Sequence, residues 1–305
     1  MMGSPIYFRW LGAAGIELTA SGRTLIIDPY FSRIPFWNVF IGRLRSRPDL
    51  VETHIVTCHE ILVTHSHFDH LMDVPLIARR TGARVYGSLF TCRLLSRCGV
   101  PDEQIFEIQT GDRLDLNGFK VRVLKSWHTN IPWLNGGDVP VEKSPPGRAR
   151  DFRMDKKFAF EIDAHGVQLL TDPGRELEAS AAADILFLRP DLNARECRAL
   201  LKSIRPRLVI PIHWESHHRP LNKPLRPAWR PPGWRFPPVQ RFDLNTLKEM
   251  IQGSGAAAKL FVPEVLHLYA FREVMDSFFS VKPLCSPLGA GASCASNVNP
   301  IPNRR

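Results

Sequence analysis

Apolar and polar positions alternate from the beginning of the chain. Ile6–Trp10, Ile16–Thr19 and Leu25–Asp28 read as three short strands, punctuated by Gly12, Gly15 and a Ser21-Gly22 turn. Glu60–Thr64 (EILVT) is a short apolar run that ends in a histidine cluster, as a buried strand would if it delivered polar side chains at its C-terminal end. The periodicity predicts a helix over Val74–Arg80, a strand over Arg84–Gly87 and a helix over Leu89–Cys98 closed by Gly99. Further strands are expected at Phe119–Lys125, Phe158–Ile162, Val167–Thr171, Asp184–Leu188 and Leu208–Ile212. Between the last two, Ala194–Ile204 puts Cys197, Leu200, Leu201 and Ile204 on one helical face, with Arg195, Arg198 and Lys202 on the others.

Two strand-rich halves with interspersed helices predict two sheets with helices outside them, in one domain over residues 5–283. Three segments break the pattern. Asn130–Arg150 is rich in Pro, Gly and charge and reads as a long loop. Residues 219–238 (RPLNKPLRPAWRPPGWRFPP) exclude a helix or a central strand and read as a Pro-stiffened strap. Residues 284–305 have the composition of a disordered tail. Ile34, Phe36, Trp37, Val39, Phe40 and Ile41, ahead of Arg43, Arg45 and Arg47, suggest an amphipathic lid or membrane-touching patch, although core packing is the commoner fate of such residues.

Composition narrows the class. With 44% hydrophobic and 23% charged residues, the 305-residue chain is neither disordered nor fibrous. No run reaches the roughly 18–20 apolar residues of a membrane-spanning helix. The N-terminus lacks a basic segment followed by an apolar core and a small-residue cleavage site, so no secretory signal is expected. Six scattered cysteines without a C-x-x-C pair read as free thiols, which points to the cytoplasm. A net charge of +10 suits phosphate-bearing substrates, nucleic acid or an anionic membrane and does not choose among them.

Candidate chemistry concentrates in His65-Ser66-His67-Phe68-Asp69-His70, directly after a predicted strand. Neutral imidazole and carboxylate are good ligands for Zn²⁺ and related ions. Alternate residues leaving a strand point the same way, so His65 and His67 can share one ion, while Asp69 and His70 face a second across the turn. His128, Asp172 and His213 each follow an apolar run (in SWHT, LLTDPG and IPIHW), where sheets present functional side chains.

In this order the motifs resemble the metallo-β-lactamase fold superfamily. The opening WLGAAGIEL and GRTLIIDPY are similar to its branch containing L-ascorbate-6-phosphate lactonase and N-acyl-phosphatidylethanolamine-hydrolysing phospholipase D. The resemblance, from about Tyr7 to about Leu221, implies an α/β fold: a four-layer αββα sandwich of two mixed β-sheets flanked by helices, with metals at one edge. It implies one ion on His65, His67 and His128, and a second on Asp69, His70 and His213. Asp172 would bridge them, and Asp28 would be a structural neighbour. Two divalent ions are expected, Zn²⁺ first, with Mn²⁺ or Fe²⁺ as alternatives. The implied activity is metal-dependent hydrolysis of a phosphodiester, lactone or ester by a hydroxide shared between the ions, with Asp69 as the catalytic residue that orients it. His67 replaces the Glu of redox di-iron members, which favours hydrolysis.

The substrate expected is a small-molecule or lipid-like anion. Arg219, Lys223, Arg226, Arg230 and Arg235 of the strap could grip phosphate, with Trp229 and Trp234 covering an apolar group. Trp127 and Trp133 could form the opposite wall, and His217 and His218 read as solvated loop residues ahead of proton donors. A nuclease or cyclic-nucleotide phosphodiesterase is the alternative enzyme, and an RNA- or anionic-lipid-binding protein the non-catalytic alternative.

Overall fold

A computed structural model describes residues 5–128, 144–175, 181–228 and 242–279. Its strands, in chain order, are β1 (Ile6–Gly12), β2 (Gly15–Ala20), β3 (Arg23–Ile27), β4 (Glu60–Leu62), β5 (Arg84–Gly87), β6 (Ile105–Glu107) and β7 (Arg113–Asp115). They continue with β8 (Phe119–Lys125), β9 (Phe158–Ala164), β10 (Val167–Thr171), β11 (Ile185–Leu188), β12 (Leu208–Pro211), β13 (Lys259–Leu260) and β14 (Leu268–Ala270). The helices are α1 (Phe36–Ile41), α2 (Pro48–His54), α3 (Phe68–Leu71), α4 (Val74–Thr81), α5 (Leu89–Arg97), α6 (Ala194–Ile204), α7 (Leu244–Gly253) and α8 (Phe271–Phe279).

The strands make two seven-stranded sheets, ordered β14-β1-β2-β3-β4-β5-β6 and β13-β12-β11-β10-β9-β8-β7. Each is mixed. The first is antiparallel through β14, β1, β2 and β3 and parallel through β3, β4, β5 and β6. The second is antiparallel from β7 to β10 and parallel from β10 to β13.

Period-two alternation sorts the side chains into layers. Leu25 and Ile27 of β3 face the central core with Phe8, Phe158, Phe187 and Ile210, whereas Ile26 faces the outer layer containing Val51, Ile77 and Leu94 from α2, α4 and α5. On the other sheet Leu208 and Ile210 point inward, and Val209 points outward to Leu200, Leu201, Leu247 and Ile251 of α6 and α7. The resulting order, helices–sheet–sheet–helices, is the expected αββα sandwich.

The capping chemistry supports the helices. Asn193 caps α6 by accepting from Glu196 N, while the Glu196 carboxylate accepts from Asn193 N. Ser88 caps α5. Among the described residues, no helix is long and apolar enough to cross a membrane.

One expectation needs correction. The apolar segment around Phe36 does not join the core: α1 has no buried residue, and Phe36, Trp37, Phe40 and Ile41 are 50%, 72%, 62% and 89% exposed. Helices α2, α4 and α5 already cover that sheet face, and the segment is held by buried Ile34 and Leu44 at its ends and by half-buried Val39, which packs against the same outer layer. Residues 284–305, Trp133, Trp229, Arg230, Trp234 and Arg235 lie outside the described residues.

Candidate metal centre

Strand ends converge at one edge between the sheets. The turn after β4 carries His65 and His67 into α3, whose first residues include Asp69 and His70. His128 follows β8, Asp172 follows β10 and His213 follows β12. The turn is tied to both sheets, because Phe158 N donates to Thr64 O at 2.8 Å and Ser66 Oγ donates to Arg153 O. His213 N donates to Ala13 O at 2.8 Å, bringing the end of β12 against the β1–β2 turn. Both Asp28 and His213 have left-handed φ angles, 46° and 53°, conformations that persist only where the surroundings hold them.

Two three-donor sets result: His65, His67 and His128, and Asp69, His70 and His213, with the donor atoms of each set within 4.8 Å of one another. His65 Nε2 and His67 Nδ1 are 3.1 Å apart, and His213 Nε2 is 3.2 Å from Asp69 Oδ2. Three imidazoles in one set and a carboxylate with two imidazoles in the other match the ligand chemistry of Zn²⁺, Mn²⁺ or Fe²⁺, so both sets fit a divalent ion. Asp172 belongs to neither set. It lines the same pocket as His65, His70 and His213, and Lys157 Nζ donates to its Oδ2 at 2.5 Å.

Asp28 supports the centre from below. Its carboxylate accepts from Thr64 N at 2.8 Å, from Thr64 Oγ1 at 2.5 Å and from His70 Nδ1 at 2.7 Å. A carboxylate on one ring nitrogen fixes the tautomer and leaves the other nitrogen's lone pair for a ligand role. The charges are set accordingly. Burial, reinforced by the neighbouring histidines, holds His65 well below the usual imidazole value. Burial would raise the Asp69 carboxyl, but His70 and the His213 hydrogen bond outweigh it and hold the group well below its ordinary range. Asp172 is lowered as well, its burial overcome by Lys157 and Arg189.

The loop after His213 departs from the solvated reading. His217 is partly buried, with Nε2 3.8 Å from Asp69 Oδ2, and His218 Nδ1 lies 2.8 Å from Ile34 O. The strap doubles back at its near end, where Ser216 N donates to Arg226 O and Glu215 bridges Pro227. Arg219 Nε donates to Pro224 O at 2.7 Å within the strap, Arg226 is exposed, and the Arg175 guanidinium lies 4.3 Å from the Trp127 ring centroid.

Sequence reasoning missed Lys157 and Arg189, both lining the pocket. Arg189 immediately follows β11, the same strand-end position that flagged the histidines, so that signal was available. Lys157 precedes an antiparallel strand, and nothing local marks it.

A family model described as a beta-lactamase superfamily domain matches residues 23–214. The chain is 27% identical over 229 residues to a UPF0173 metal-dependent hydrolase of Polynucleobacter asymbioticus, covering 70% of this chain and 75% of that protein. It is 25% identical over 256 residues to a UPF0173 metal-dependent hydrolase of Methanopyrus kandleri, covering 84% and 95%. Among solved structures, Igni18, a novel metallo hydrolase from the archaeon Ignicoccus hospitalis, aligns with a TM-score of 0.53 at 17% identity, covering 87% of this chain and 98% of that one. That last likeness is one of fold.

Proposed function

The chain belongs to the beta-lactamase superfamily and is a metal-dependent hydrolase; from that premise we propose that it holds two divalent ions and cleaves a phosphodiester, lactone or ester bond in a small or lipid-like anionic substrate. The observation that carries this reading is the pairing of two separate three-donor sets in one pocket edge.

In this reading His65, His67 and His128 would hold one ion, and Asp69, His70 and His213 the other, with the Asp172 carboxylate as a further ligand available beside them. Zn²⁺ is the first choice. Divalent ions held there would supply Lewis acidity, lowering the pKa of water to about 7 and neutralising charge that builds on substrate oxygens.

The chain's own residues do the remaining work. Asp28 accepts the Nδ1 proton of His70 and so aims Nε2 toward Asp69 and His213. A carboxylate oxygen of Asp69 accepts a hydrogen bond from the attacking water and orients it. His217, close to Asp69, is the side chain placed to hydrogen-bond the leaving group. Arg219, Arg226 and Trp229, on the strap that follows His213, are the proposed contacts to the anionic part of the substrate. The four described cysteines are free thiols, which supports a cytoplasmic setting.

The test is elemental analysis of the purified, untagged chain, together with assays on bis(p-nitrophenyl) phosphate and a simple lactone. About two divalent ions per chain are expected, and His67→Ala should abolish hydrolysis while leaving the circular dichroism spectrum unchanged. Full activity in His67→Ala, or no retained metal after Zn²⁺ and Mn²⁺ are supplied, overturns the reading.

A further inference from the structure

Helix α1 rests on the body through half-buried Val39 and leaves its other apolar side chains in solvent. Phe36, Trp37 and Phe40 form a ring cluster, with centroid distances of 5.5 Å for Phe36–Trp37 and 5.2 Å for Phe36–Phe40, and Ile41 extends it. A contiguous exposed apolar patch of this kind, unlike single exposed apolar residues, marks a contact site. Its base is rigid. Buried Asp73 accepts from Ser32 N, Ser32 Oγ and Ser46 Oγ at 2.9, 2.5 and 2.6 Å, pinning both ends of the excursion that carries α1.

Charge selects the partner. Exposed Arg43 and Arg45 follow the helix, and the sequence has no acidic residue between Asp28 and Asp49. Arg47 is paired with Asp49 and contributes little net charge. Aromatic and aliphatic side chains beside cations, on a chain of net charge +10, match the boundary between headgroups and acyl chains of an anionic bilayer. Trp is the residue that favours that depth. A second copy of the chain fits less well. Four partly exposed side chains offer a few hundred Å² by the usual aromatic areas, short of the about 800 Å² per partner of a stable interface.

We infer that α1 is an interfacial anchor that seats the protein on an anionic phospholipid surface. The patch adjoins the candidate centre. The Phe36 ring is 5.4 Å from His218, whose ring is 4.1 Å from that of His217 beside Asp69. Docking would therefore turn the mouth of the site toward the bilayer. The inference does not depend on the proposed reaction.

The full chain is mixed with vesicles of phosphatidylcholine alone, or with about 30% phosphatidylglycerol added, and sedimented. Wild type should pellet with the anionic vesicles and stay in solution with the neutral ones. Trp37→Ser/Phe40→Ser keeps every charge and should weaken binding about tenfold or more. Arg43→Ser/Arg45→Ser should weaken it by about fivefold per cation removed. These side chains are exposed, so circular dichroism and the metal content should be unchanged. Wild type remaining in solution overturns the inference. So does undiminished binding of the Trp37/Phe40 variant, which would reduce the attraction to net charge. A wild-type dimer by light scattering that the same variant converts to monomer, without vesicle binding, would assign the patch to a second copy instead.

Discussion

Arg33 Nη1 lies 2.7 and 3.0 Å from the two carboxylate oxygens of Glu215, with the two side chains 1% and 0% exposed. The pair joins residues 182 positions apart, one in the loop after β3 and the other two residues past His213. Glu215 Oε1 also accepts from Ala13 N at 2.8 Å, so one carboxylate gathers three segments beside the candidate centre. Removing one partner of a buried pair strands the other charge, whereas replacing both by apolar residues need not. Glu215→Ala should therefore destabilise the fold by about 3–5 kcal/mol, and Arg33→Met/Glu215→Leu should cost less than the sum of the single changes. Urea denaturation of wild type, Glu215→Ala, Arg33→Met, Glu215→Leu and the double variant measures both. An unchanged midpoint for Glu215→Ala would show that the pair contributes nothing.

Gly12 is the counterpart of that pair in the backbone. Its φ is +84°, and a Cβ there would fall 2.0 Å from Arg33 Nη2. The guanidinium cannot swing away without leaving Glu215. Gly12→Ala should cost at least about 2 kcal/mol, from the left-handed backbone together with the clash. Thermal melting would show a clear drop, and the Arg33→Met background should recover the part that comes from the clash.

These two relationships show what local sequence could and could not convey. The His65–His70 cluster was legible because its members are consecutive, and His128, Asp172 and His213 because each closes an apolar run. The strands at Phe119–Lys125 and Val167–Thr171 match to the residue, the first because buried and exposed positions alternate along most of it, the second because a short apolar run is bounded by a His-Gly turn and by Asp-Pro-Gly. Glu215 and Arg33 carry no such mark, because their meaning comes from a contact across the fold. Strands β13 and β14 have two and three residues and exist through their pairing with β12 and β1. The exposure of α1 was hidden for another reason: an apolar cluster looks the same whether its face is covered or not.

Loading the centre should stabilise the chain. A ligand that binds only the native state at 100 times its Kd adds about 2.7 kcal/mol, which for a protein of this size is a rise of about 5 °C in Tm. Zn²⁺ or Mn²⁺ added to chelator-stripped protein should give that rise by differential scanning fluorimetry. The two donor sets also predict a division: His67→Ala and His213→Ala should each retain about one ion where wild type retains about two. Loss of all metal in both variants would mean that the sets do not bind independently.

Helix α7 depends on a carboxylate at its N-terminus. Asp243 Oδ1 accepts from Asn245 N at 3.0 Å, while Oδ2 accepts from Thr246 Oγ1 at 3.0 Å and from Thr246 N at 3.4 Å. The Asn245 amide first, then the Thr246 hydroxyl, hold the carboxyl below its ordinary value. Because the folded value is the lower one, the ionised form favours the native state. The contribution is complete above the unfolded value near about 4 and disappears as pH falls through the folded value. Leu247 and Ile251 of α7 are buried in the outer layer with α6, so fraying of this end should be transmitted to global stability. Asp243→Ala should melt below wild type at neutral pH, with the gap closing under acid. Asp243→Asn separates the two contributions, since an amide oxygen can still cap but does not ionise. It should hold most of the neutral-pH stability, and lose the acid dependence. A gap between wild type and Asp243→Ala that stayed constant down to strong acid would show that the carboxylate's charge plays no part in holding the helix.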